Sequence, residues 1–119
     1  MNILIVDDEV LVRRSLSRAF RARGHEIIEA EDGELGLNAW LKYQPDLIML
    51  DVLMPKLTGP QVLKELGTRK TGKVILMSAY GGDHNIQTSL EMGADLFIAK
   101  PFENIFEIVK QVEDVFGKK

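Results

Sequence analysis

Several acidic, hydroxyl and ammonium side chains stand directly after short apolar runs in this sequence. The polar residues that follow the runs 3–6, 47–50, 74–77 and 96–99 are Asp7, Asp8, Glu9, Asp51, Ser78 and Lys100. A carboxylate can act as a nucleophile towards a phosphoryl group, and carboxylates also bind hard divalent cations. Phosphoryl transfer mainly requires positioning and neutralisation of the phosphoryl oxygens, which a cation, a lysine and a hydroxyl can provide. These residue types therefore indicate phosphoryl transfer to an aspartate.

Apolar runs and amphipathic stretches alternate along the whole chain. The runs at 3–6, 47–50 and 74–77 are continuous and rich in Ile, Leu and Val, which is typical of strands buried on both faces of a parallel sheet. The stretches between the runs have apolar residues at helical spacing, and Thr58 with Gln61 matches a capping box. Five strand–helix units predict a flavodoxin-like α/β fold, a (βα)5 three-layer sandwich with strand order 2-1-3-4-5.

The second strand of this predicted sheet has a different pattern. Ile27 and Ile28 are its only strong apolar residues, and Glu26 and Glu29 flank them. An edge position fits this pattern, because an edge strand is less completely buried than a central one.

The fold predicts that the polar residues converge. In such sheets ligands bind beyond the carboxyl ends of the strands, where the strand order reverses, so Asp7, Asp8 and Asp51 should lie together. Three carboxylates at close range repel one another, and their burial would be costly without a cation. Lys100 can supply one positive charge, and Mg²⁺, which takes carboxylate and phosphate oxygens as ligands, can supply the rest.

Each of these residues taken alone has a plainer explanation. The acids at 7–9 could cap the first helix, Asp51 could be a solvated loop residue, and Ser78 could be a turn hydroxyl. Lys100 alone is typical of a surface charge. Their common place at the strand ends of one sheet favours the functional interpretation.

Composition narrows the class of protein. The 119 residues suit one domain spanning 1–119, and 45% hydrophobic with 28% charged residues is typical of a soluble globular protein. The absence of cysteine excludes disulfides and thiolate metal sites, and the net charge of −3 argues against nucleic-acid binding by this domain. No apolar run is long enough to span a membrane, and the first strand begins too early for a signal peptide, so we expect a cytoplasmic protein.

Together these motifs resemble the receiver domain of bacterial two-component response regulators, the family that includes the chemotaxis regulator. The resemblance covers essentially the whole chain. The matching stretches are residues 3–9, residues 51–55 with Gly59, residues 78–79 and residues 100–102.

The resemblance implies specific roles at the site. Asp51 matches the phosphoacceptor, and Asp8 matches a direct ligand of Mg²⁺, for which Mn²⁺ can substitute. Asp7 matches a ligand that often acts through water, and the Leu53 backbone carbonyl matches a further ligand. Lys100 matches the lysine that contacts the phosphoryl group, and its bond to Pro101 is expected to be cis.

The resemblance also implies a conformational switch. Ser78 matches the switch hydroxyl that moves towards the phosphoryl oxygens, and Phe97 matches the aromatic residue that then turns inward. Plain core packing is the alternative role for Phe97. Leu53 and Tyr80 match positions that govern attack of water on the phosphoaspartate, and their bulk predicts a long-lived phosphoaspartate.

Expected partners follow from the family. These are a histidine kinase or histidine phosphotransfer protein, and a downstream effector or a second copy bound through the last helix–strand–helix face. The arginines at 13, 14, 18, 21 and 23 crowd the first helix, either as a solvated face or as a docking surface near Leu11 and Ser15. His25 and His84 are interpreted as ordinary surface residues. Residues 78–81 resemble the single-domain regulators of the sporulation phosphorelay, but a piece of a longer regulator is equally compatible.

The resemblance implies a signalling switch that catalyses only its own phosphorylation and dephosphorylation, and two rival functions fit the sequence less well. A phosphatase of the haloacid dehalogenase type has its acids in an Asp-x-Asp arrangement and usually a cap domain, whereas here the acids are adjacent and no residues remain for a cap. A flavodoxin-like cofactor carrier needs a phosphate-binding loop after the first strand, where this chain has three acids.

Overall fold

The computed structural model describes residues 1–79, 91 and 93–117. Five strands and four helices are defined within them. The strands are β1 (Asn2–Val6), β2 (Glu26–Ala30), β3 (Leu47–Asp51), β4 (Lys73–Ala79) and β5 (Leu96–Lys100). The helices are α1 (Val10–Ala22), α2 (Gly33–Tyr43), α3 (Gly59–Leu66) and α4 (Ile105–Phe116), with a 3₁₀ turn at Gly67–Arg69. The helix predicted around Ile86 and Leu90 lies outside the described residues.

The five strands form one parallel sheet in the order β2-β1-β3-β4-β5, which confirms the predicted topology. β1 lies between β2 and β3, with Val6 paired to Ala30 on one side and to Leu50 on the other. β2 is an edge strand, as its weaker apolar pattern predicted. The register also aligns Asp51 with Met77 on β4. The last residues of β1, β3 and β4 therefore lie at the same edge of the sheet.

Two apolar clusters cover the two faces of the sheet. One cluster joins Leu4, Val6 and Leu50 to residues of α2 and α3, including the buried Trp40. The other cluster joins alternate residues of β1 and β3 to α1 and α4. Residues 3–6 and 47–50 are fully buried because each strand has an apolar layer on both faces, as their continuous apolar sequence predicted.

Local sequence signals fix the ends of the helices. The Thr58 hydroxyl oxygen accepts from the Gln61 amide at 3.2 Å, and the Gln61 side chain accepts from the Thr58 amide at 2.8 Å. This confirms the predicted capping box of α3. α1 is followed by Gly24, whose φ of +89° favours glycine and stops the helix there. Within the described part of the chain, no helix combines the length and the apolar character needed to cross a bilayer.

Candidate functional site

The carboxyl edge of the sheet brings the predicted polar residues together. Asp7 follows β1, Asp51 is the last residue of β3, Ser78 is the penultimate residue of β4 and Lys100 ends β5. All four are buried, with exposures of 0%, 5%, 5% and 8% respectively. Asp8 is exposed beside them. The predicted convergence is therefore observed, with β4 running one residue further than predicted.

The carboxylates of Asp7, Asp8 and Asp51 form a compact group. One oxygen of each residue lies within 4.8 Å of the others. Three carboxylate oxygens at this separation match the ligands that Mg²⁺ and Mn²⁺ prefer in proteins. The chemistry of these donors fits a hard divalent cation and does not fit a soft metal, which would require sulfur ligands.

Lys100 is the cation that the structure places among these acids. Its Nζ donates to Asp7 Oδ2 at 2.7 Å and to Glu9 Oε1 at 2.8 Å, and it lies 3.5 Å from Asp51 Oδ1. Burial opposes the charge, but the hydrogen bonds that Lys100 donates to Asp7 and Glu9, and the nearby Asp51, raise the pKa of Lys100 above its ordinary value. Lys100 therefore supplies a positive charge that is shared by Asp7, Glu9 and Asp51.

One lysine does not balance the acids around it. Burial, repulsion from Asp7 and a smaller repulsion from Asp8 raise the pKa of Asp51 to about 7, although Lys100 acts in the opposite direction. The Lys100 ammonium group 3.5 Å away therefore compensates the negative charge of Asp51 only in part. A divalent cation near Asp51 would supply the rest and favour the ionised, nucleophilic form.

Helix capping does not explain the acids. Glu9 is the N-cap residue of α1 and makes no side-chain capping hydrogen bond. Asp7 Oδ1 accepts from the Glu9 amide at 2.9 Å, within the turn that precedes the helix. The plainer interpretation of residues 7–9 is therefore not supported by the structure.

A cavity of about 480 Å³ is lined by two of the acids of this region, Glu9 and Asp51. Asp51, Ser78 and Lys100 line its floor, and the exposed side chains of Leu11 and Leu53 stand at its sides. Leu53 is 66% exposed, so it lies at the surface and not in the core. The cavity makes the Asp51 carboxylate accessible from solvent.

Phe97 is half-buried and packs against the core cluster that α2 and α3 cover. Core packing is therefore observed for this residue, while its role as a switch stays a prediction. The Lys100–Pro101 peptide bond is cis, as expected. Tyr80 and His84 lie outside the described residues, so the predictions for them are not tested.

The sequence interpretation of two basic residues is wrong. The sequence predicts that Arg13 lies on a solvated face or a docking surface of the first helix. In the structure Arg13 is only 7% exposed and bonds to Glu29 and to the backbone of Asp7. His25 was interpreted as an ordinary surface residue, but its ring is 11% exposed and its Nε2 lies 2.8 Å from Glu113 Oε2. Both errors have one cause, because the acidic partner lies on a different element that sequence spacing does not reveal.

Comparison with known proteins gives a consistent result. The sequence model for "Response regulator receiver domain" matches residues 3–113. The chain is 41% identical over 100 residues to "Probable transcriptional regulator ycf27" of Cyanophora paradoxa, covering 84% of this chain and 42% of that protein. It is 38% identical over 102 residues to "Sporulation initiation phosphotransferase F" of Bacillus subtilis, covering 85% of this chain and 82% of that protein. The chain thus spans about two fifths of the length of the ycf27 regulators.

Solved structures agree with the sequence relatives. The chemotaxis protein CheY4 of Vibrio cholerae superposes with a TM-score of 0.84 at 27% identity, covering 96% of this chain and 97% of that one. A chain from the CheX-CheY-BeF3-Mg complex of Borrelia burgdorferi superposes with a TM-score of 0.86 at 34% identity, covering 99% and 90%. The match extends over the whole sheet and its helices.

Proposed function

We propose that this chain, which belongs to the response regulator receiver domain family, accepts a phosphoryl group on Asp51 and thereby acts as a signalling switch. The observation that carries this proposal is the place of the Asp51 carboxylate. It is buried at the floor of an open cavity, it shares a compact oxygen cluster with Asp7 and Asp8, and it lies 3.5 Å from the Lys100 ammonium group.

The proposed reaction is an in-line displacement at phosphorus. An oxygen of the ionised Asp51 forms the new bond to phosphorus while the bond from phosphorus to the donor breaks, and the donor leaves with that electron pair. Lys100 exchanges its contact with Asp7 for the phosphoryl oxygens, and the Ser78 hydroxyl donates to another of them. The family resemblance supports both roles, and their common position around the cavity agrees with them.

Asp7, Asp8, Asp51 and the Leu53 backbone carbonyl would hold Mg²⁺, or Mn²⁺ in its place. The cation would neutralise the acids and the incoming phosphoryl oxygens, which is the principal requirement of phosphoryl transfer. Without that charge, the raised pKa of Asp51 leaves much of the carboxyl group protonated near neutral pH.

The consequence of phosphorylation would be a change of conformation. Ser78 would be drawn towards the phosphoryl group, Phe97 would then turn inward, and the surface of the last helix–strand–helix segment would change. The protein would catalyse only its own phosphorylation and dephosphorylation. A phosphatase of the haloacid dehalogenase type is not supported, because the sequence family and the structural neighbours are receivers.

The partners are proposed from the family. The phosphodonor would be a histidine kinase or a histidine phosphotransfer protein that approaches α1, where Arg14 and Arg18 are exposed beside Leu11. A downstream effector or a second copy would bind the surface of β5 and α4. A cytoplasmic location and the lack of nucleic-acid binding by this domain stay predictions.

The decisive experiment is incubation of the protein with Mg²⁺ and acetyl phosphate, followed by measurement of its intact mass. The wild type should gain one phosphoryl group, and Asp51→Asn should gain none. Asp46→Asn is the matched control, since it changes an exposed aspartate just before the strand that carries Asp51 and should leave phosphorylation unchanged. Equal phosphorylation of Asp51→Asn and wild type would exclude the proposed function.

A further inference from the structure

Arg13 differs from the other arginines of α1 in its burial. Arg14 and Arg18 are exposed and the Arg21 side chain is 55% exposed, whereas the Arg13 side chain is 9% exposed. A buried guanidinium group is stable only when its donors and its charge are satisfied. The contacts that satisfy Arg13 therefore indicate what the residue does.

Arg13 connects β2 to the end of β1. Its Nη1 donates to the backbone carbonyl oxygen of Asp7 at 2.8 Å, and its Nε donates to Glu29 Oε1 on β2 at 3.0 Å. The guanidinium group is planar and rigid, so two bonds made from one group also fix its orientation. The carbonyl that it holds belongs to the peptide unit between Asp7 and Asp8.

That peptide unit controls the direction of Asp8. The Asp7 carboxylate is already fixed by Lys100 and by the Glu9 amide, and the Asp7 amide donates to the Ala30 carbonyl at 3.1 Å. The Asp8 carboxylate is exposed and accepts no hydrogen bond from any described residue. Its position in the oxygen cluster is therefore set by the backbone, and Arg13 is the side chain that holds this backbone in place.

Glu29 offsets the positive charge that Arg13 brings close to the cation site. Arg13 introduces a positive charge near acids that must attract a cation, which by itself would weaken cation binding. Glu29 pairs with that charge through Arg13 Nε, at 3.0 Å, while Nη1 bonds to the Asp7 carbonyl. The pair therefore keeps the directional hydrogen bond to the Asp7 carbonyl while cancelling much of the unfavourable charge.

We infer that Arg13 is a positioning residue for the divalent cation, acting through the Asp7–Asp8 peptide and supported by Glu29. The inference rests on the proposed function, because it assumes that Asp8 is a ligand of the cation. Replacement of residues that hold metal ligands in position through hydrogen bonds, without contacting the metal themselves, typically changes metal affinity by about 10-fold to 100-fold. We expect the Mg²⁺ dissociation constant to rise roughly 10-fold in Arg13→Met.

The direction of this effect distinguishes positioning from charge. If Arg13 acted only through its charge, its removal would strengthen Mg²⁺ binding, because a nearby cation would be lost. Arg13→Lys retains the charge and loses the rigid two-donor geometry, so positioning predicts weaker binding for this variant as well. Glu29→Gln should also weaken Mg²⁺ binding, because it leaves the Arg13 charge uncompensated.

The test is a Mg²⁺ titration of ¹⁵N-labelled protein followed by NMR. Arg69→Met is the matched control, since Arg69 also donates to a backbone carbonyl, that of Glu65 at 2.7 Å, but lies on the 3₁₀ turn after α3. The Asp8 amide signal of the metal-free protein should shift in Arg13→Met and in Arg13→Lys, because the hydrogen bond to its own peptide unit is lost. It should not shift in Arg69→Met.

The outcomes separate the inference from the proposed function. Wild-type Mg²⁺ affinity that is unchanged by Asp8→Asn would overturn the proposed cation site itself. Affinity that depends on Asp8 but is equal or higher in Arg13→Met would overturn only the role of Arg13. If Arg13→Met does not fold, Arg13→Lys decides in its place, and wild-type affinity in that variant overturns the inference.

Discussion

Two clusters of charged side chains lie at opposite ends of the strands, one at the carboxyl ends and one at the amino ends. They differ in the balance of acidic and basic groups. The carboxyl-edge cluster consists of Asp7, Asp8, Glu9, Asp51 and Lys100. The amino-edge cluster consists of Arg23, His25 and Glu113, in which Glu113 lies 3.0 Å from Arg23 and 2.8 Å from His25. The first cluster contains four acids and one lysine, and the second contains one acid between two basic groups.

The pKa shifts follow this difference. Hydrogen bonds from His25 and Arg23 lower the pKa of Glu113, whereas burial and repulsion raise the pKa of Asp51 to about 7. An acid with a lowered pKa already has its partners, so the amino-edge cluster stabilises the contact between α4 and the segment after α1. In the carboxyl-edge cluster, burial and repulsion between acids outweigh the charge of Lys100, so a further positive charge would stabilise the ionised form of Asp51.

The largest effect is expected from removal of Lys100, the cation of the carboxyl-edge cluster. Lys100→Met should lower the rate of phosphorylation by acetyl phosphate by at least about 100-fold, because a donor to the transferring group is lost. Without Mg²⁺ the variant should also lose about 3 kcal/mol of unfolding free energy, because buried acids remain unpaired. Urea unfolding followed by Trp40 fluorescence measures the second effect. Lys64→Met, on the exposed face of α3, is the control, and equal stability of the Lys100→Met protein and wild type would contradict the prediction.

Replacement of Asp51 should increase the stability of the metal-free protein, whereas replacement of Lys100 should decrease it. In metal-free protein, Asp51→Asn should be more stable than wild type at about pH 8, by on the order of 2 kcal/mol. The folded wild type holds the Asp51 proton up to about pH 7, while the unfolded carboxyl loses it near its ordinary value of 3.8. The wild type therefore loses stability as the pH rises between these values, and Asp51→Asn does not.

Urea unfolding at about pH 5 and about pH 8 in the presence of a chelator tests this pH dependence. The stability difference between the Asp51→Asn protein and wild type should be larger at the higher pH, and added Mg²⁺ should reduce it by binding the wild type. A difference that stays constant between the two pH values would show that Asp51 does not carry the unbalanced charge.

A smaller effect is expected when Leu53 is replaced and water gains easier access to the phosphorylated Asp51. Leu53→Asn should shorten the lifetime of the phosphoaspartate by roughly 10-fold, or about 1.4 kcal/mol in barrier height, because an amide can orient water where leucine excludes it. Loss of the phosphoryl group is followed by intact mass after the donor is removed. Leu35→Asn changes an exposed leucine on α2 and should not alter the lifetime. An unchanged lifetime in Leu53→Asn would rule out shielding by Leu53.

The smallest change in unfolding free energy is expected from a substitution in the amino-edge cluster. Glu113→Gln should cost about 0.5 kcal/mol of unfolding free energy near neutral pH, because Arg23 is largely exposed and exposed ion pairs contribute little. The lowered pKa means that this contribution exists above the unfolded pKa and disappears as the pH falls through the folded one. Phosphorylation by acetyl phosphate should be unchanged, and a large loss of it would contradict the separation of the two clusters.

Much of the fold and the site could be predicted because the relevant signals are local. Continuous apolar runs identified the central strands, the two glutamates around Ile27 and Ile28 identified the edge strand, and Thr58 with Gln61 identified the start of α3. The convergence of Asp7 and Asp51 followed from the strand order, since both residues end neighbouring parallel strands.

The pairing of side chains could not be predicted in the same way. Arg13 and Arg14 are adjacent in sequence and similar in chemistry, yet one is buried against Glu29 and the other is exposed. His25 and Glu113 are 88 residues apart and meet only because α4 packs beside α1. The contact of Lys100 with Glu9 could not be predicted for a similar reason, because these residues are 91 positions apart and follow or end separate strands.

The strands, their order and the edge at which the acids meet could thus be predicted from residue patterns, because hydrophobic periodicity and strand termini are properties of short segments. The pairing of each cation with its acid became known only from the folded structure. Those contacts depend on distances of a few ångströms between separate elements, and the packing of helices on the sheet sets these distances. The same packing assigned Arg13 to the support of the site and left Arg14 and Arg18 to solvent.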